Sequence, residues 1–217
     1  MIRTLTVFFK RKFRRIFKNQ LSKKDIKLLK NKNFVIISNN CWGGEVYNWF
    51  KRPYNSPFVG LFLHGPCYIE LLSHFDYYMS LDLTFVKSSK YLKTDPNYPV
   101  GKLNDIEIHF LHYKDEEEAF SKWERRKKRM FDETSKNNYF FKICDLNEGT
   151  EEIFNKFHKL PFKNKVSFSI HKFSFLKNKN HIKIKESFKS KGITVPNGVK
   201  LYKITFLYFD IPNWLNN

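Results

Sequence analysis

The sequence predicts an α/β fold, a three-layer sandwich with a largely parallel sheet, preceded by a basic amphipathic N-terminal helix. Three observations carry that expectation. Short apolar runs rich in Val, Ile and Phe alternate with helical periodicities, the pattern of a parallel sheet with helical crossovers. The first such run, Phe34-Val-Ile-Ile37, is apolar throughout and ends in a Gly-containing polar segment, as a strand buried on both faces does. The chain has 217 residues with 24 Phe, enough for one domain with its own core. We read residues 1–32 as a helical appendage and 33–217 as a single α/β domain.

Leu5 to Lys18 reads as the basic amphipathic helix. Leu5, Phe8, Phe9, Phe13, Ile16 and Phe17 fall on one side of a 3.6-residue period. Lys10, Arg11, Arg14, Arg15 and Lys18 occupy most of the rest. The chain carries 40 Lys/Arg against 21 acids, a net +19. Residues 1–32 hold 12 of those cations and one acid, Asp25, which makes +11 of the +19. Such a helix can lie in a headgroup layer, each cation near anionic lipid contributing roughly 1 kcal/mol. An anionic membrane surface, met through residues 3–18, is therefore the expected partner. The plainer alternative is a helix docked on the core. Nucleic acid is disfavoured, because no zinc finger, RNP motif or K-homology loop accompanies the charge.

Ser22 is expected to cap a short helix to about Lys30, with Asp25 in the capping-box position. After the Phe34–Ile37 strand, Ser38-Asn-Asn-Cys-Trp-Gly-Gly44 reads as a loop, Glu45–Phe50 as a helix stopped by Pro53, and Pro57–Leu63 as a second buried strand. Pro66 suits the first position of the next helix, and Leu83–Val86 is a further strand. Residues 88–104 read as a polar loop. Ile106 to Phe110 alternates strictly and runs on through Tyr113. Asp115 opens a long helix with acids at its start and bases at its end, matching the helix dipole. Tyr139–Cys144, a helix from Thr150 to Lys159, and Val166–Ile170 follow. Residues 174–192 are Lys-rich and low in complexity, and Leu201–Phe209 is expected as a terminal strand.

The three cysteines, Cys41, Cys67 and Cys144, have neither zinc-site nor redox-motif spacing. With no secretory signal peptide and no apolar run of the ~20 residues a bilayer span needs, a reducing cytoplasm is expected, with the protein peripheral on the inner membrane face.

Several ordered blocks carry a family resemblance. They are Ile37–Gly44, Tyr54-Asn-Ser-Pro-Phe-Val-Gly-Leu-Phe62, Phe75-Asp-Tyr-Tyr-Met79, Tyr98-Pro-Val-Gly-Lys-Leu103, Asp105–Phe110 with Tyr113, and Glu116–Ala119 with Lys122–Arg126. Over residues 33–170 the chain resembles the bacterial exopolysaccharide-biosynthesis protein family, catalogued as a domain of unknown function. The resemblance implies an intracellular α/β fold and a place in capsule, O-antigen or other surface-polysaccharide assembly. It supplies no reaction.

The residues themselves offer four candidates. Ser38, Asn39, Asn40, Trp42, Gly43 and Gly44 lie where a strand's carboxyl end meets a helix N-terminus, a place for a phosphate of a nucleotide-sugar or other phosphorylated donor. A tight turn plugged by Trp42 explains the same residues without a ligand. Glu107 and His109 share one face of a strand, so the carboxylate can orient the imidazole as a base for a sugar hydroxyl. A polar face packed under a helix is the rival. Arg125 and Arg126 can clamp a diphosphate, or form a solvated helix face. Cys41 with His109 as base would make an acyltransferase or hydrolase. No metal and no cofactor is expected. The favoured reading is a transferase of surface-polysaccharide assembly; the other is a non-catalytic, membrane-associated assembly or regulatory protein.

Overall fold

The computed structural model describes residues 2–173, 176, 180–185 and 195–217. The Lys-rich stretch 174–192 lies mostly outside them. Among the described residues, β1 (Val35–Ser38), β5 (Tyr139–Cys144), β6 (Asn164–Ser169) and β7 (His181–Lys183) form a parallel sheet in that order. A second, antiparallel sheet comprises β2 (Thr84–Val86), β3 (Val100–Leu103) and β4 (Ile106–His109). The α/β class and the parallel sheet follow the expectation.

Alternation along the parallel strands divides the core in two. Val35, Ile37, Tyr139, Phe141 and Ile143 face one apolar cluster, with α4 (Gly65–Ser73), α5 (Phe75–Ser80), α6 (Glu116–Glu133), α7 (Glu151–Lys159) and the antiparallel sheet. Phe34, Ile36, Phe140, Cys144, Val166 and Phe168 face the other, with α3 (Trp42–Phe50), α8 (Gly198–Thr205) and α9 (Ile211–Leu215). Helices therefore flank the sheet on both faces.

Several elements differ from expectation. Leu201–Phe209 forms α8 and the turn after it rather than a strand. Leu201, Ile204 and Thr205 are its buried side, and Asn197 caps its N-terminus by accepting from Lys200 N. A β-rich composition there yields to helical packing against α3. Pro57–Leu63 contributes only a bridge between Phe62 and His109. Gly60, at φ +81°, turns the chain in a conformation that favours glycine. The polar loop 88–104 contains β3, whose Val100 and Leu103 are buried. β4 ends at His109 because Phe110 N donates to Pro99 O and His112 N to Gly60 O, which turns the chain away.

At the N-terminus, α1 (Ile2–Ile16) and α2 (Lys18–Leu28) are helical. Ser22 is no cap. It is buried inside α2, its hydroxyl donating to Trp49 O, while Asp25 accepts from Trp49 Nε1. These two bonds tie α2 to α3. No described helix is long and apolar enough to cross a membrane.

Candidate functional site

The carboxyl ends of β1 and β5 hold a buried polar cluster. Lys142, the one cation in an otherwise apolar-aromatic strand, is fully buried. Its Nζ donates to Asn40 Oδ1 at 2.9 Å and Asn39 Oδ1 at 3.2 Å. Asn40 also donates to Cys144 Sγ at 3.0 Å, and Asn39 Oδ1 accepts from Cys144 N. Burial holds the Lys142 ammonium below its ordinary range, with the Cys144 thiol opposing that effect. Ser38, Asn39 and Asn40 are therefore wall material rather than an open loop.

Gly43 and Gly44 are likewise not in a loop. Both lie in the first turn of α3, and a Cβ on Gly43 would meet Ile36 Cγ2 at 3.0 Å. Gly43 lets α3 press against β1, and Gly44 lets it approach Val59. The N-terminus of α3 is closed as well: Asn40 Oδ1 accepts from Trp42 N, and a Cβ on Gly198 would lie 2.6 Å from that nitrogen and 3.0 Å from Cys41 N. Trp42 is fully buried and donates to Thr205 Oγ1. A phosphate has no room at these amides, so the expected donor cradle is filled by α8.

Arg125 and Arg126 do not converge. Arg125 is exposed, whereas Arg126 is buried and donates to Tyr113 Oη at 2.7 Å and Val59 O at 3.2 Å. Arg126 thus fixes the chain beside the Gly60 turn. Cys41 Sγ lies 3.9 Å from Leu61 O, and burial pushes its thiol up to about 11, against thiolate formation.

Glu107 and His109 are brought together as expected. They are neighbours on one face of β4, with Glu107 Oε2 3.7 Å from His109 Nε2. Both are buried, and Nε2 has no hydrogen-bond partner among the described residues. His109 stacks on Phe62 at 4.5 Å between centroids, and Tyr98 Oη is 3.4 Å from its Nδ1. Burial, followed by the neighbouring His64, lowers the His109 imidazole to about 4, while Glu107 pulls it upward.

The surprise is His64. The sequence offered only a histidine ahead of a Gly-Pro helix start, yet its ring centroid is 5.2 Å from that of His109. Tyr91 lies flat on it at 3.7 Å and 4°. Glu148 Oε2 is 3.5 Å from His64 Nδ1, and neither ring nitrogen has a hydrogen bond. Burial lowers its pKa, with Glu148 opposing. Residues 87–99 cover this cluster: Ser89 Oγ donates to Glu107 Oε2 at 2.7 Å and Lys90 N to Oε1 at 3.0 Å. Tyr91 Oη is 3.1 Å from Cys67 Sγ, which accepts from Glu107 N. No group of three His, Cys, Asp or Glu among the described residues is arranged to hold a metal ion. His112 is exposed and stands outside the cluster.

Two imidazoles whose pKa values burial lowers stand beside a carboxylate with aromatic rings around them, the kinds of group that general acid–base chemistry uses. Glu107 and His109 come from the antiparallel sheet, whereas Gly43 and Gly44 are buried in α3 against Ile36 and Val59. The glycines and the acid–imidazole pair do not share a cleft. Their connection runs through backbone, Leu63 N to Asn39 O and Phe62 N to His109 O.

Residues 12–216 match the family described as Domain of unknown function (DUF1919). The chain belongs to that family. The match begins inside α1 and reaches α9, so both sheets and the His64–His109 cluster fall within the DUF1919 unit. An uncharacterized protein of Haemophilus influenzae is 37% identical over 193 residues, 87% of each chain.

Proposed function

We propose that this DUF1919 protein is a group-transfer enzyme of cell-surface polysaccharide assembly, acting at the inner membrane face with His109 as its base. The observation that carries the reading is the buried, unpartnered Nε2 of His109 beside the Glu107 carboxylate. In the step this geometry supports, Nε2 takes the proton of an acceptor hydroxyl. The hydroxyl oxygen then bonds to the transferred group of a phosphorylated donor, whose phosphate leaves with the bonding pair. Glu107 stabilises the imidazolium that forms, and that imidazolium gives its proton to the departing phosphate, which returns His109 to its neutral form. Substrate reaches the site when residues 87–99 lift, because Ser89, Lys90 and Tyr91 close it.

The membrane part of the reading rests on α1. Leu5, Phe8, Phe9, Phe13 and Ile16 are all exposed, from 54% to 62%. Meanwhile Arg14 turns inward, stacking 3.8 Å above Trp49. The helix docks through a cation and offers its phenylalanines outward, opposite to the order for a helix covering a core. A bilayer surface satisfies both sides.

A second reading has its own support. Both Glu107 oxygens already accept bonds from residues 89 and 90, as they would if the pair only anchored that segment in a non-catalytic assembly or regulatory protein. Purified protein with anionic vesicles and a nucleotide-sugar panel separates the two. The transferase reading expects donor consumption that His109→Ala removes. No consumption of any donor, with vesicles present, contradicts it.

A further inference from the structure

Beneath α1 the molecule has an apolar crevice of about 430 Å³, walled by Phe9, Lys10, Phe13, Arg14, Leu21 and Phe206. Its walls are carbon apart from the two cations, and no acid lines it. Phe9 and Phe13 belong at once to this crevice and to the outward apolar face of α1, so the crevice opens where that face meets its surroundings. A neighbouring hollow of about 450 Å³ shares Arg14 and Phe206, but there Arg14 and Lys24 are offset by Asp25 and Asp210. Asp25 stands 3.9 Å from the shared Arg14, so in the crevice the anion is favoured by Lys10 together with the charge that this loose pair leaves on Arg14.

We infer that the crevice binds one hydrocarbon chain of an anionic phospholipid, with the headgroup phosphate at Lys10 and Arg14. The inference rests on the membrane reading of α1 and adds a discrete site to it. An apolar slot lined by two cations and no acid matches an amphiphile of that polarity: a chain that leaves water on entering, and an anion that stays at the edge. Arg14 is suited to the rim because Trp49 and Phe206, at 3.8 and 4.7 Å from its guanidinium carbon, hold the group in place while Asp25, at 3.9 Å, pairs with it loosely. A guanidinium carries five N–H donors, more than Asp25 and the Tyr202 hydroxyl occupy, and the planar fork suits phosphate oxygens.

The test uses the full chain and vesicles of phosphatidylglycerol with phosphatidylethanolamine. After flotation, the protein is extracted and repurified, and retained lipid is quantified by mass spectrometry. A phosphatidylglycerol bearing a photoreactive acyl chain is cross-linked in parallel. The expected result is retained phosphatidylglycerol, with cross-links concentrated on Phe13, Leu21 and Phe206. Leu21→Trp, which fills the slot, and Lys10→Glu, which reverses the rim on an exposed side chain, should each lose the retained lipid. Leu21→Trp should still float. Phe8→Ser with Ile16→Ser should lose flotation, and that is the outcome bearing on the membrane reading itself. Flotation without retained lipid, equal retention of phosphatidylcholine, or a dimer that Leu21→Trp disperses would each overturn the site.

Discussion

His109 and His158 both have imidazoles lowered to about 4, chiefly by burial, against about 6.5 in an unfolded chain. Between those values the unfolded chain binds more protons than the folded one. The contribution of these two histidines to stability therefore falls as pH drops from about 6.5 toward 4 and is constant above that window. For His109 the full effect is roughly 2–4 kcal/mol. Urea midpoints across pH 4.5–7.5 should rise with pH and then level, and His109→Gln should flatten the rise. Lys142 makes a different case. Asn39 Oδ1 and Asn40 Oδ1 keep backbone donors, Cys144 N and Trp42 N, if the ammonium is removed. Lys142→Met should thus change stability little or raise it, whereas Asn40→Ala, which leaves Trp42 N and Lys142 Nζ short of an acceptor, should cost about 1–3 kcal/mol. Thermal melts of the two variants check the order.

At the scale of elements, α3 is held between β1 and α8 by missing side chains. Gly198 has two backbone nitrogens and Asn40 Oδ1 within 3.0 Å of where a Cβ would stand, and backbone cannot step aside. Gly44 meets only Val59 Cγ1, at 3.2 Å. Gly198→Ala should destabilise by about 1–3 kcal/mol, and Gly44→Ala by distinctly less, measured by chemical denaturation. These contacts also show why some elements were legible in the sequence and others were not. Val35–Ser38 and Tyr139–Cys144 declared themselves through runs of mostly apolar residues, and Glu116–Glu133 through the acids of its first turn, although Asp132 and Glu133 close it where bases were expected. α8 did not, because its Leu, Tyr and Ile become helical only against α3, a partner far away in sequence. The diglycine was misread for a similar reason: Gly-Gly after a strand marks a turn or a close approach, and only the position of Ile36 distinguishes them. Glu107 beside His109 was legible from period-two spacing. His64, Tyr91 and Ser89 were not, since their place in the cluster depends on how 62–64 and 87–99 fold over β4. Lys142 did leave a signal, one cation within Tyr-Phe-Phe-Lys-Ile-Cys.

For the whole molecule, the charge and the apolar surface coincide. The first 32 residues carry +11 of the net +19, and the same segment holds most of the large exposed hydrophobic side chains of the described residues. Flotation with phosphatidylglycerol vesicles should accordingly fall as salt is raised, since exposed charges are screened within about 10 Å at 0.1 M, and a chain starting at Lys32 should recover poorly at any salt. The site itself lies away from this segment, so binding and chemistry should separate by mutation. The most direct measurement places Glu107→Gln/His109→Ala in a strain lacking the gene and quantifies surface polysaccharide alongside protein level and thermal melt. The expected result is a folded, membrane-bound protein that no longer restores polysaccharide. Full restoration by that folded variant would contradict it.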